Sequence, residues 1–130
     1  MKTPRLLIIG LDAATFDLMC PWIAEGKLPN LATLMKEGAW GRLVSILPPI
    51  TPPAWTSFVT GKNPGKHGIF HFLEARPGTY KLSYLNAASH RAKTIWRMLS
   101  DAGYTAGTMN IPFTYPPELH SELVNLLGRF

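Results

Sequence analysis

Apolar positions along the chain follow two spacings, and their changes predict the element order. Residues 5–11 are almost wholly apolar and close on the carboxylate of Asp12. That pattern predicts a buried strand with an acid at its C-terminal end, where open α/β sheets place their ligands. Residues 16–24 then read as a helix, with Pro21 predicting a short first turn or a break, and Gly26 ends it. Asn30 is placed to cap a second helix whose Leu31, Leu34 and Met35 recur at i, i+3 and i+4, with Gly38 as its stop. Residues 40–46 have the length and branched content of a second strand, which Pro48-Pro49 terminates.

The next stretch, Ile50-Thr51-Pro52-Pro53-Ala54-Trp55-Thr56-Ser57-Phe58-Val59-Thr60-Gly61, predicts a short helix. Thr51 would be its N-cap, Pro52 its first helical residue, and Gly61 its left-handed stop. Asn63-Pro64-Gly65 is a predicted turn. A short strand at 69–73, a turn at Arg76-Pro77-Gly78 and a strand at 80–85 make a hairpin. Ser89 or His90 precedes a helix over 91–102, whose Ile95, Met98, Leu99 and Ala102 form an apolar stripe capped by Gly103. Residues 104–109 are a strand, parallel to the first if the crossover is right-handed, and 110–117 an extended loop at its C-terminal end. Alternating strands and helices, without repeats, argue a three-layer α/β/α sandwich with a mostly parallel sheet.

Composition narrows this picture. The chain has 130 residues, 46% of them hydrophobic, enough for one modest core and too apolar for disorder. Its net charge of +5 comes from scattered Lys and Arg, so a solvated surface is expected and nucleic-acid binding is not. No apolar run reaches the roughly 20 residues of a membrane span. The basic N-terminus before residues 5–11 lacks the length and cleavage site of a signal peptide. Cys20 stands alone, which offers no disulfide framework and makes a cytoplasmic location the default.

Thr51 carries the chemistry, in either of two ways. As a cap it merely satisfies the helix start. As a nucleophile it would sit among unpaired N–H groups at the positive end of the helix dipole, where an alkoxide costs less than in water. Other titratable groups read more plainly: His67 and His71 as loop histidines, Asp17, Asp101, His90 and His120 as surface or cap residues, and Lys62 and Lys66 as solvated loop lysines.

The order IIGLDA, then TPPAWTSFVTG, then the P-x-x-H-G-I tail at Pro64, His67, Gly68 and Ile69 resembles the alkaline phosphatase superfamily. More closely it resembles the type I phosphodiesterase/nucleotide pyrophosphatase family, over residues 5 to about 118. The resemblance implies an alkaline-phosphatase-like fold, here incomplete, with 1–118 as the N-terminal part of a catalytic domain. It implies a hydrolase of small-molecule phosphate esters or diesters, with Thr51 as nucleophile and two divalent metal ions, zinc by preference. Asp12 and Thr51 would each contact a metal, the remaining ligands lying outside this chain. His67 matches the H-G motif as structural support for its loop. Asn110 resembles the start of an N-x-P-x-T-Y-P-P segment near the substrate, and Trp55 would line a pocket if it is not core. Ala54 stands where the nucleotide pyrophosphatases carry a phosphate-binding Asn. A sulfatase is disfavoured, because Cys20-Pro21-Trp22 is not the C/S-x-P-x-R setting. Residues 119–130 diverge, as a frameshifted end or a short helix. Two further readings stay open: a non-catalytic α/β module, and a phosphatase or phosphotransferase of the same superfamily.

Overall fold

The computed structural model describes residues 5–118 and 123–126, and it divides into two compact units, Met1–Val44 and Ser45–Phe130. In the first, α1 (Phe16–Ala24) packs against α2 (Pro29–Glu37). Helix α1 runs through Pro21 without the predicted break, although the ring removes the N–H that would bond the Asp17 carbonyl. It ends in two bonds, Gly26 N–H to Ile23 at 3.0 Å and Lys27 N–H to Trp22 at 2.8 Å, with Gly26 left-handed at φ +73°. Asn30 does not cap α2; Leu28 is the N-cap and Pro29 takes the first helical position. Proline suits that place because its missing N–H would have had no helical partner. Trp40 stacks at a tilt on Phe16, centroids 5.5 Å apart.

Neither predicted strand of the N-terminal region forms. Residues 5–11 and 40–46 carry no regular secondary structure. Leu6, Leu7, Leu43 and Val44 are each more than 80% exposed. An apolar run is compatible with a buried strand, but a strand exists only where a neighbour takes its N–H and C=O groups and a layer covers its face.

The second unit holds α3 (Thr51–Thr60), α4 (Pro64–His67), β1 (Leu73–Ala75), β2 (Leu82–Tyr84), a 3₁₀ turn (Ala87–Ser89), α5 (Ile95–Asp101), β3 (Ala106–Met109) and β4 (Leu123–Leu126). Helix α3 buries Pro52, Pro53, Thr56, Val59 and Thr60, a spacing of three and four that makes one face. Gly61 ends it in the left-handed region, as expected. Asn63-Pro64-Gly65 is the start of α4 rather than a bare turn, because the Asn63 side chain accepts the Lys66 N–H at 3.1 Å. The hairpin forms with Leu73 opposite Tyr84, but its first strand begins at Leu73 instead of residue 69. Ile69 is fully buried beneath α4 instead.

Helix α5 is shorter than the predicted 91–102, because Thr94 caps it by accepting the Arg97 N–H. Its predicted stripe of Ile95, Met98 and Leu99 is largely exposed, while Trp96 is buried. Strands β3 and β4 pair in parallel, Ala106 opposite Leu123, and α5 packs against both. Residues 123–126 are thus strand and not helix; the rest of the divergent tail, with His120, lies outside the described residues. Among the described residues the fold is a mixed α/β one, with one antiparallel and one parallel two-stranded sheet.

Candidate functional site

Thr51 opens α3 as its first helical residue, and Ile50, in extended conformation, is the N-cap. The one-residue shift from the predicted cap changes the local chemistry. A helix start normally leaves four N–H groups without helical partners. Here Ile50 N–H donates to the Pro48 carbonyl at 3.0 Å, and Pro52 and Pro53 have no N–H. Ala54 N–H, the first within the helical ladder, is taken by the Ile50 carbonyl at 3.1 Å. The turn therefore offers an anion at most one amide, that of Thr51, and the expected cluster of unpaired donors around its hydroxyl does not exist. Thr51 itself is half-buried, as are Ala54 and Trp55. Trp55 meets Phe58 edge-on, centroids 5.8 Å apart, and so is neither wholly core nor wholly open.

His67 holds α3 from behind. Its imidazole is fully buried, with Nδ1 3.1 Å from the Ile69 N–H and Nε2 2.9 Å from Ser57 Oγ. Nδ1 must accept from the amide, so the proton of the neutral ring sits on Nε2 and faces Ser57 and the Pro53 carbonyl. Pro53 and Ser57 lie one turn apart on α3, so one ring fixes both the first turn and the middle of that helix. Burial lowers the pKa of His67 from its ordinary 6.5, and nearby His90 adds to the effect, partly offset by the bond to the Pro53 carbonyl. A ring with both nitrogens engaged cannot ligate a metal, so the i, i+4 pairing with His71 holds no ion. His71 instead packs edge-on against Phe72 and is exposed.

A second polar cluster was not foreseen. Glu118 Oε2 accepts from Thr94 Oγ1 at 2.7 Å and from Trp96 Nε1 at 2.9 Å. Its Oε1 lies 3.9 Å from His90 Nε2. His90 ends the 3₁₀ turn as its C-cap, but it is no surface residue, since its side chain is only 9% exposed. These groups, with Thr56, Val59, Phe113 and Thr114, close around a cavity of about 10 Å³. The signal in the sequence was Trp96: a buried indole N–H needs an acceptor, and Glu118 is the carboxylate that ends the uncharged run 110–117.

Asn110 follows β3 directly and is exposed with φ +54°, and Phe113 in the same loop has φ +67°. The loop is held by Thr114 Oγ1 donating to the Ile111 carbonyl at 2.6 Å and by Ala87 N–H donating to the Tyr115 carbonyl at 2.9 Å. Asp12 belongs to the first unit, exposed in the turn before α1, where the next residue, Ala13, has φ +56°. Asp17 pairs with Arg42 at 3.6 Å, and Asp101 with Lys93 at 2.9 Å, as surface residues. Lys62 and Lys66 are exposed. The residues expected to hold metal do not complete a site. The two residues expected to contact metal, Asp12 and Thr51, are fewer than the roughly four ligands that zinc takes per ion. Among the described residues no three His, Cys, Asp or Glu side chains gather around one point.

A family model described as type I phosphodiesterase / nucleotide pyrophosphatase matches residues 6–122. No curated protein and no solved structure matches the chain.

Proposed function

The chain belongs to the type I phosphodiesterase/nucleotide pyrophosphatase family, and from that premise we propose that Thr51 is the nucleophile of a phosphate-ester hydrolase. The observation that carries the reading is the placement of Thr51 at the head of α3, on a helix held by His67, inside the matched span. In the proposed reaction Thr51 Oγ1 bonds to phosphorus as the ester oxygen leaves and takes up a proton. Water then cleaves the phosphothreonine and restores the hydroxyl. With at most one amide at the helix start, charge on the phosphoryl oxygens must be met by other groups.

The family is known for divalent metals. Asp12 and Thr51 are the contacts this chain would offer, and further ligands would have to come from beyond the described residues. The mostly parallel three-layer sandwich belongs to the same reading, supported by the parallel β3–β4 pair joined through residues 110–122. Asn110 and Trp55 are proposed to face the substrate.

The test is incubation of the chain with a nucleotide diester and Zn²⁺, an acid quench, and mapping of any phosphoryl group by mass spectrometry. A Thr51 adduct absent from Thr51→Ala supports the reading; product formation unchanged in that variant refutes it. Rates on monoesters against diesters separate a phosphodiesterase from a phosphatase or phosphotransferase. Because no three-ligand cluster exists among the described residues, turnover of these 130 residues alone is expected well below about one per second. That same observation favours the second reading, a non-catalytic module, which the absence of any adduct would support.

A further inference from the structure

Beside the Glu118 cluster the surface opens into a groove of about 580 Å³ whose lining includes Arg91, Lys93, Arg97, Pro116, Pro117 and His90. We propose that this groove binds the oxyanion of a small organic phosphate, as a site built from the chain's own cations and independent of the nucleophile assigned to Thr51.

The charges around it are unevenly matched. Asp101 is shared between Lys93 Nζ at 2.9 Å and Arg97 Nε at 3.7 Å. Glu118 is occupied by the Thr94 hydroxyl and the Trp96 indole, with His90 beside it. Glu118 also lines the groove, but Arg91 makes no ion pair among the described residues, and the lining cations Arg91, Lys93 and Arg97 outnumber its carboxylate.

Arg91 is also held in place. The Arg91 N–H donates to the His67 carbonyl at 3.0 Å. Its side chain lies across Gly68, where an added Cβ would stand 3.6 Å from Arg91 Nε. Gly68 itself has φ +83°, so the position both needs glycine and leaves room for the arginine stem.

Arg97 contributes differently. Its Nε is buried and has no hydrogen-bond partner among the described residues, since 3.7 Å to Asp101 is an ion pair and too long for a hydrogen bond. The arginine fork also carries terminal N–H groups, a donor set that matches phosphate oxygens. The floor carries a second unmet group, His90 Nδ1, buried and without a partner among the described residues. Pro116 and Pro117 supply an apolar wall for the organic part, and the groove is of the size that small ligands occupy.

The experiment is a titration of the 130-residue chain with phenyl phosphate at constant ionic strength, followed by NMR of backbone amides and arginine Nε–H signals. Saturable shifts at Arg91, Arg97 and their neighbours are expected. Arg91→Gln and Arg97→Gln should each weaken binding about tenfold, the worth of one charge-assisted contact. Thr51→Ala should bind as the parent does. Shifts that never saturate, or that spread over Lys62 and Lys66 and are matched by chloride, overturn the site. So does binding unchanged in both arginine variants. Binding lost only in Thr51→Ala would move the phosphate to α3, sinking the groove while leaving the nucleophile reading intact.

Discussion

Replacing His67 tests how α3 is held. In His67→Ala the Ile69 N–H loses its acceptor inside a fully buried site, which costs about 1–3 kcal/mol. Loss of the Nε2 hydrogen bond to Ser57 adds about 0.5–1.5 kcal/mol. The sum is a destabilisation of about 1.5–4.5 kcal/mol, a large part of the total stability of a small domain. The two halves separate by variant. Asn carries its oxygen near the place of Nδ1 and keeps an acceptor for Ile69; Gln places a donor near Nε2 and keeps Ser57. Each should lose about half as much as Ala.

The sign of the pH dependence follows from the same geometry. Burial disfavours the charged imidazolium and nearby His90 adds to this, so the folded pKa is lowered from 6.5, and protonation would set an Nδ1–H against the Ile69 N–H. The unfolded chain then binds the proton more readily than the folded one, so stability rises with pH. The contribution is complete above the unfolded value of 6.5 and is lost as pH falls below it, through the lowered folded pKa. Urea unfolding followed by tryptophan fluorescence across that range measures both effects. Stability of His67→Ala within about 0.5 kcal/mol of the parent, the usual scatter of surface substitutions, would refute the role of the ring. A pH slope that persists unchanged in His67→Gln would refute its assignment to this histidine.

Three further outcomes are expected. Glu118→Ala strands the buried Trp96 N–H and should cost about 1–3 kcal/mol with a changed tryptophan emission, while Glu118→Gln, still an acceptor, should cost less than half of that. Gly68→Ala forces a Cβ into a left-handed residue at φ +83° and should lower stability by about 1–2 kcal/mol in the same urea assay. Asn110→Gly should leave stability unchanged or raise it by a few tenths of a kcal/mol, whereas Asn110→Ala at φ +54° should lower it by about 1 kcal/mol.

Local chemistry was readable from local residues. Helix α1 occupies its predicted span because a helical pattern is stopped by Gly26, Gly61 takes the left-handed stop assigned to it, and Gly78 and Gly103 are left-handed too. The hairpin followed from two short strand runs around the Arg76-Pro77-Gly78 turn, and the family from an ordered motif that a family model matches. The structural role given to His67 also stands, since its buried ring ties Ile69 to α3 through Ser57.

What failed depended on partners distant in sequence. Residues 5–11 and 40–46 have strand composition, but pairing is made by a neighbour and not by composition. The α5 stripe satisfied the helical period, yet Trp96 from another face is buried, because Glu118, 22 residues away, supplies the acceptor its indole needs. His90 looked like a surface residue until the same carboxylate drew it inward.

The sequence by itself therefore determined most turns, the order of most elements and the family. Only the tertiary structure decided which donors surround the Thr51 hydroxyl, that Arg91 makes no ion pair among the described residues, and which histidines are buried. Backbone conformation responds to residues a few positions away, whereas burial and hydrogen-bond partnership are settled by whichever chain segments fold against one another.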